Sequence, residues 1–274
     1  MLSLHTNAAA LSTQTALGGT KTALSTSMTR LGTGYRVNSA MDDAAGLQIA
    51  TRLEAQTRGM SVAMRNTQNG ISMLQTAEGA LSEVTNILLR MKDLGTESAT
   101  ASTTADDRVA QQAEYDALGE ELANIMKNTS FGGETLFGDT TAIDGTTGKF
   151  AAALNFQIGS STGETMAFDV GAAANDELGT LGAALAAVAS TYDVAAPTAA
   201  GTELDGTNAI LTDINDAIDA VGALRSKFGS AANRLDHVYN NLQNMSNNTA
   251  QARGRIMDVD YAAETANMTT KQML

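Results

Sequence analysis

Two adjacent aspartates, Asp42 and Asp43, are the first residues of the chain whose type and spacing suggest chemistry. A carboxylate pair can bind a metal, but a hard cation needs six or more oxygen ligands, and the neighbouring sequence RVNSAMDDAAG supplies few others. Ser39, three residues before Asp42, approximates a capping box, and acids in a first turn meet unpaired N–H groups and the positive end of the helix dipole. We therefore expect both aspartates in the first turn of a helix.

A second candidate is Ser161, which lies in the string GSSTG at 159–163 and matches the G-x-S-x-G pattern of a nucleophile elbow. That chemistry requires a strand before the serine and a helix after it. The residues that follow, ETMAFDV, have the pattern of a strand instead. The chain has two histidines, His5 and His237, and neither is placed to act as the general base. The pattern therefore predicts a hairpin turn.

The remaining acidic stretches, DVDY and LTDIND, do not have the spacing of a calcium-binding loop. No nucleotide-binding, metal-binding or catalytic set of residues emerges from the sequence. We therefore expect no catalytic residues, no metal, no cofactor and no enzymatic activity.

Composition excludes several classes of partner. The 274 residues carry a net charge of −13, so nucleic acids and anionic membrane surfaces are disfavoured on electrostatic grounds. No stretch of about 20 apolar residues is present, so we expect no insertion into a membrane. The N-terminus has no basic residue before Lys21 and is not a cleavable secretory signal, so export would need another route. Cysteine is absent and aromatic residues make up only 4%.

The strongest pattern in the chain is a seven-residue repeat near the C-terminus. Apolar or small residues alternate at spacings of three and four, which is typical of a coiled coil. At about 1.5 Å per residue, an unbroken helix over 208–274 would be a rod of roughly 100 Å that needs partners along its length. The repeat comprises Leu224, Phe228, Ala231, Leu235, Val238, Leu242, Met245, Thr249, Ala252, Ile256, Val259, Ala263, Ala266 and Met273.

The first half of the chain supplies such partners. The patterns predict an N-terminal helix that ends before LGTGY, a helix at about 42–99 and a helix at about 105–128 that begins at two acids, Asp106 and Asp107. Residues 150–170 read as a β-hairpin, and 171–206 as a connection with a short helix at 177–190. The second of these helices carries its own alternating seam: Leu74, Ala77, Leu81, Val84, Leu88 and Met91.

Three stretches carry a family resemblance. RLGTGYRVNSAMDDAAGLQIATRLEAQTRGMSVAMRNTQNGISMLQTAEGAL (30–81) resembles the N-terminal hallmark of bacterial flagellin, and LRSKFGSAANRLDHVYNNLQNMSNNTAQARGRIMDVDYAAETANMTTKQML (224–274) resembles the C-terminal one. NTSFGGETLF (128–137) is also similar. The resemblance covers about 1–137 and 208–274.

The resemblance implies a mainly α fold, a long coiled-coil-like rod in which the N- and C-terminal segments pair. Residues 1–40 and 255–274 would form an inner terminal domain that is disordered in the monomer. Residues 41–175 and 207–254 would form a helical rod domain with a β-hairpin, and 176–206 a short variable insertion.

The resemblance also implies a structural subunit that self-assembles with other flagellin subunits into the extracellular filament used for motility. Export would proceed unfolded through the flagellar secretion channel, with an export chaperone and a filament cap as further partners. The alternative is a flagellin-like surface protein that binds a polysaccharide or a host receptor. The expected assembly seam is Leu74, Leu81, Leu88, Leu235, Leu242 and Ile256.

A receptor footprint follows from the same resemblance. In many flagellins the segment matching LLRMKDLGTES contacts the vertebrate Toll-like flagellin receptor, and the matching positions are Arg90, Leu94 and Glu114. The segment differs from the family pattern at Leu89, Gly95 and Glu97. We expect weakened but retained recognition.

Flagellins typically continue past the TKQML-like segment for about two dozen residues, with a leucine-rich tail. Without that tail the apolar stripe loses about six seam positions, each worth about 1.5–3 kcal/mol when buried. We expect the sequence as given to remain monomeric.

Overall fold

Over the residues that it describes, the computed structural model has six α-helices and two small hairpins, which confirms the mainly α prediction. It describes residues 7–100, 102, 104–138, 148–170, 177–188 and 208–273. The helices are α1 (Ala8–Thr33), α2 (Ala44–Ser98), α3 (Ala105–Asn128), α4 (Glu177–Val188), α5 (Asn208–Met257) and α6 (Tyr261–Met273). The strands are β1 (Ser130–Phe131), β2 (Glu134–Thr135), β3 (Leu154–Gln157) and β4 (Thr165–Phe168), and a 3₁₀ turn spans Lys149–Ala151.

The paired aspartates mark the start of α2, as predicted, but the details differ. Asp43 Oδ1 accepts a hydrogen bond from Gly46 N at 2.8 Å, so Asp43 is the N-cap and precedes the first turn. Asp42 Oδ2 accepts from the backbone N–H groups of Asn38 (3.1 Å) and Ser39 (2.9 Å) and closes the preceding turn. The prediction that Ser39 forms a capping box is wrong, because Ser39 lies five residues before the first residue of α2.

The start of α3 agrees with its sequence signal. Thr104 is the N-cap, and its hydroxyl accepts from Asp107 N while the Asp107 carboxylate accepts from Thr104 N, which completes a capping box. The hydroxyl of Thr104 also donates to that carboxylate, and these bonds lower the pKa of Asp107. Asp106 lies in the same first turn.

The chain divides into two compact units: unit 1 is residues 1–62 and 242–274, and unit 2 is residues 63–241. These boundaries lie further from the termini than the expected limits of 40 and 255. The functional division at 40 and 255 remains a prediction.

Unit 2 holds the main hydrophobic core, in which α2 and α5 run antiparallel. As the residue numbers increase along α2, the residue numbers of the contacting partners on α5 decrease. A Cβ placed on Gly95 would lie 3.3 Å from Leu211 Cδ2, and one placed on Gly70 would lie 3.3 Å from Leu235 Cδ1. Both glycines of α2 therefore allow a close approach by α5.

Phenylalanine is scarce in this chain, and all six copies lie in or against the unit 2 core. Phe150 is fully buried, with its ring centroid 4.9 Å from that of Phe228. The hairpin β3–β4, predicted from the sequence, contributes Phe156 and Phe168 to this packing. The phenylalanine rings are thus concentrated where the hairpins meet the helices. The full set is Phe131, Phe137, Phe150, Phe156, Phe168 and Phe228.

Two features of unit 2 add to the sequence interpretation. The hairpin β1–β2, which periodicity did not indicate, turns at Gly132 and Gly133 with φ of 65° and 89°. The short helix expected in the insertion is present as α4, whereas 189–190 lie outside the described residues. α4 is part of the core, because four of its side chains are buried: Leu178, Leu181, Leu185 and Val188.

Unit 1 contains a correction to the expected unbroken C-terminal helix. The helix stops at Met257 and resumes as α6 at Tyr261, so Val259 belongs to a break in the stripe. α6 packs on α1, with Glu264 Oε2 3.8 Å from Arg30 Nη1. A separate small core surrounds the break and consists of Val37, Ala50 and Met257, with Leu47 and Ile256 packed against it.

Candidate assembly and recognition surfaces

The residues singled out for catalysis are not assembled into a site. Ser161 lies in the exposed turn between β3 and β4, where its backbone N–H donates to Glu164 Oε2 at 2.9 Å. A strand follows it, as predicted, so the geometry of a nucleophile elbow is absent. His237 is exposed on α5, and His5 lies outside the described residues.

The described part of the chain offers neither a metal site nor a membrane-spanning helix. There, no group of three or more histidine, aspartate or glutamate side chains is close enough to hold a metal ion. Over the same residues, no helix combines the length and the apolar character needed to cross a membrane.

The six residues expected to form an assembly seam lie on the inner faces of the helices. Five of them are buried within this chain: Leu74, Leu81, Leu88, Leu235 and Leu242. Ile256 is half-buried against the small core of unit 1. Because these side chains already pack inside the subunit, they hold the subunit together, and a role for them between subunits remains a prediction.

Exposed apolar side chains mark a different surface. Among the described residues, twelve large hydrophobic side chains are exposed, and only two of these, Leu89 and Val109, belong to unit 2. The other ten belong to unit 1, although it is the smaller unit. They are Leu11, Leu17, Met28, Tyr35, Met41, Ile49, Val62, Met245, Tyr261 and Met273. Met245 and Met273 belong to the C-terminal seven-residue repeat, but the spacing alone did not show that their side chains are exposed.

The threonine hydroxyl groups of α1 are satisfied by the helix itself. Seven threonines donate to the carbonyl four residues earlier, at 2.9–3.1 Å, for example Thr22 to Gly18 and Thr29 to Ser25. Such a hydroxyl keeps its hydrogen bond when its surroundings become apolar, so burying it costs less than burying an unpaired one. A Cβ placed on Gly18 or Gly19 would meet no atom within 4 Å.

The expected receptor residues are only partly on the surface. Arg90 and Glu114 lie together, with Arg90 Nε and Nη2 donating to Glu114 Oε1 at 2.8 Å and 2.5 Å. The Glu114 carboxylate raises the pKa of Arg90. Leu94 is only 2% exposed and belongs to the core, whereas the neighbouring Leu89 is 47% exposed.

Family models and individual relatives identify the same protein family. The model for the bacterial flagellin N-terminal helical region matches residues 4–142, and that for the C-terminal helical region matches 211–274. The chain is 36% identical over 281 residues to a flagellin of Bacillus subtilis strain 168, with 100% of this chain and 92% of that protein covered. It is 34% identical over 351 residues to Flagellin B of Vibrio anguillarum, with 100% and 93% covered.

A solved structure extends the comparison to the fold. A protein described as flagellar hook-associated, from Vibrio parahaemolyticus, matches with a TM-score of 0.58 over 79% of this chain and 100% of that one, at 18% identity. These findings do not support the alternative of a surface-binding protein. The chain belongs to the bacterial flagellin family: it is a structural subunit, not an enzyme, and it assembles with other flagellin subunits into the extracellular filament of the flagellum.

Proposed function

We propose that unit 1 supplies the main contacts between subunits in the filament and that unit 2 is a self-contained rod. The observation that carries this proposal is the distribution of exposed apolar side chains, ten of the twelve being in unit 1. Leu11 is 66% exposed and Leu17 is 64% exposed, so each has much apolar surface left to bury. Fully burying one such side chain is worth about 1.5–3 kcal/mol, and the gain recurs at every subunit.

The polar surface of α1 supports the same assignment. Its threonine hydroxyls are bonded within the helix, so a neighbouring subunit can cover them without leaving unpaired donors. The methyl groups of those threonines then add to the apolar contact. α1 is therefore suited to burial on more than one face, despite its content of polar residues.

Seeded filament growth tests this proposal. Measured in chains that carry a leucine-rich tail of the family type, the variant Leu11→Gln/Leu17→Gln should elongate seeds at least tenfold more slowly than the unsubstituted chain, because two exposed apolar contacts are lost. Val109→Gln is the matched control, since Val109 is 67% exposed but lies on unit 2, and it should elongate normally. Far-ultraviolet circular dichroism would verify that each monomer is folded. Normal growth of the double variant, or equal loss in the control, would overturn the proposal.

The terminal segments define a second part of the proposal. Residues 1–40 and 255–274 are assigned to the inner terminal domain, which orders fully only when neighbouring subunits cover it. Limited proteolysis of the monomer should then leave a core of roughly 45–250, and the filament should resist cleavage at both ends. Ends that are equally protected in the monomer would contradict this assignment.

Export is assigned to the flagellar secretion channel, with the chain unfolded and with an export chaperone and a filament cap as partners. The lack of cysteine supports this route, because no disulfide can lock the chain before or during transit. Cells that lack the export apparatus should retain the protein inside, and appearance of the protein in their medium would refute the route.

Recognition by the Toll-like flagellin receptor is proposed for the surface around Arg90 and Glu114, with Leu94 acting only as support beneath it. The exposed ion pair next to Leu89 favours this surface, because arginine beside apolar groups is a common hot spot. Arg90→Ala should weaken signalling by the monomer. Arg225→Ala is the control, because Arg225 is a partly exposed arginine of the same unit whose Nη2 lies 3.9 Å from Glu78 Oε1. Unchanged signalling by Arg90→Ala would show that the footprint is not retained.

A further inference from the structure

A cleft of about 570 Å³ opens on unit 2 between α4 and the first part of α5. Two alanines from each helix line it with methyl groups, and α4 adds Thr180. The α5 side also carries three carboxylates, those of Asp213, Asp216 and Asp219. The cleft has the size of a binding site, and its lining combines small apolar groups with negative charge.

The three carboxylates have no partner in the described part of the chain, since none of them forms an ion pair or a hydrogen bond there. The surrounding sequence supplies no countercharge, because residues 150–224 contain ten acidic residues and no lysine or arginine. The helix dipole favours acids only in the first turn, and these aspartates begin at the sixth residue of α5. The charge of this cleft is therefore unbalanced within its own segment.

The opposite charge lies further along the same helix. From Arg225 to its end at Met257, α5 contains five lysine or arginine residues and one acid. Within unit 2, Arg234 is exposed and forms no ion pair or hydrogen bond with a described residue, whereas Arg225 faces Glu78. One helix thus carries both an unpartnered cation and three unpartnered carboxylates.

A single copy of the chain cannot bring these charges together. The 15 positions from Asp219 to Arg234 hold the two Cα atoms about 22 Å apart on one helix. A second copy displaced along the helix direction removes this restriction, because its arginine can reach the cleft of the first copy. The two sites lie at different places on the subunit, so the contact is heterologous and can repeat without closing, as a filament requires.

An arginine also suits the chemistry of this cleft. Its alkyl stem can lie against the alanine methyl groups, while its planar guanidinium donates to carboxylates. Asp216 and Asp219 are both exposed and are spaced three residues apart, so their side chains are neighbours on the helix surface. One incoming guanidinium can therefore meet both of them.

We propose that the cleft between α4 and α5 is a docking site for a second copy of this chain, whose Arg234 enters it and pairs with Asp216 and Asp219. Exposed charge pairs add little affinity, but complementary charges steer the approach of two proteins and fix their register. The contact therefore adds to those of unit 1 and sets how neighbouring rods are displaced along each other. It does not depend on which residues of unit 1 make the main contacts, so either proposal can fail without the other.

Charge reversal tests the proposal by seeded growth of chains that carry a leucine-rich tail of the family type. Asp216→Lys/Asp219→Lys and Arg234→Asp should each slow elongation at low salt on the order of fivefold or more, because like charges then meet. All three substitutions combined should restore growth to within about twofold of the unsubstituted chain, because the charges are complementary again. At about 1 M salt the rates of all variants should converge.

The matched control is Glu120→Lys/Glu121→Lys, which makes the same change of net charge at two exposed positions of α3. This control should elongate normally, and circular dichroism would verify that every monomer is folded. Normal growth of either reversal variant at low salt would overturn the proposal. Failure of the combined variant to recover, or equal slowing in the control, would overturn it as well.

Cross-linking in filaments of the tailed chain provides a second readout. The chain has no cysteine, so Asp216→Cys/Arg234→Cys introduces the only two thiols. Within one copy these lie about 27 Å apart, beyond the reach of a short bismaleimide, so cross-linking should give a ladder of covalently joined subunits. Asp216→Cys/Asp236→Cys is the control, because Asp236 is exposed on a different face of α5. Absence of the ladder, or an equally strong ladder in the control, would refute the docking site.

Discussion

Arg90 on α2 and Glu114 on α3 form a forked ion pair, in which two nitrogens of one guanidinium, Nε and Nη2, donate to the same carboxylate oxygen. Both side chains are about half exposed. The pair therefore joins the two helices at the surface, where solvent and salt reach it. Because the pKa of Arg90 is raised above an already high value, the arginine keeps its charge throughout the ordinary pH range, and ionic strength becomes the relevant variable.

We predict that the coupling between these two residues is small and sensitive to salt. A double-mutant cycle of Arg90→Ala and Glu114→Ala, followed by urea unfolding, should give a favourable coupling at low ionic strength that largely disappears at 1 M salt. The charge on the neighbouring Glu97 also favours the arginine cation. A coupling that does not change with salt would show that packing, not charge, joins the pair.

Among the described glycines of unit 2, Gly148 should be the least replaceable. Its φ of 134° and ψ of 169° lie in a region that is nearly exclusive to glycine, and a Cβ there would come within 2.8 Å of backbone atoms of Leu136, Phe137 and Gly138. Gly148→Ala should lower the free energy of unfolding by about 3 kcal/mol or more.

The control for this substitution is Gly132→Ala. Gly132 also has positive φ, at 65°, but a Cβ there meets no atom within 4 Å. Gly132→Ala should lower the free energy of unfolding by only about 1–2 kcal/mol, because the positive φ alone is unfavourable for alanine there. Equal losses in the two variants would mean that the close approach at Gly148 relaxes without cost.

Two glycines of α2 should respond to alanine with opposite signs. Gly79 faces open space, so Gly79→Ala should stabilise unit 2 by about 0.5–1 kcal/mol through helix propensity. At Gly70 the new methyl group would lie 3.0 Å from Phe156 Cε1, and overpacking of about 1–3 kcal/mol should exceed that gain and destabilise unit 2. Thermal unfolding of both variants measures the difference, and stabilisation by Gly70→Ala would show that β3 shifts freely.

The regular elements were largely predictable because their signals are local. The apolar spacing of Leu74, Leu81 and Leu88 indicated one long helix, and alternation in 150–170 indicated a hairpin; both predictions are confirmed. The two acids that follow Thr104, Asp106 and Asp107, indicated the start of α3. Each of these signals depends on neighbours within one or two turns, which the sequence displays directly.

The features that periodicity did not reveal depend on residues distant in sequence. The helix break after Met257 has one local signal, the Asp260 cap, but Arg36, more than 200 positions away, donates to Ile256 O and Met257 O, and no local pattern could indicate those bonds. Burial of Leu94 likewise depends on helices that approach α2 from elsewhere in the chain. A resemblance can assign Leu94 to a footprint, but only the packing shows that its side chain is inside.

The last prediction concerns acid and the turn before α2. The carboxylate of Asp42 accepts from Ser39 N and Asn38 N, and these bonds lower its pKa below the ordinary 3.8. A lowered pKa means that the turn is fully stabilised above 3.8 and that this stabilisation is lost as pH falls through the lower folded value. The amide proton shifts of Asn38 and Ser39 should therefore titrate together, with a midpoint below 3.8. Asp42→Asn should abolish that titration, and a midpoint at or above 3.8 in the wild type would show that the two backbone bonds do not favour the ionised carboxylate.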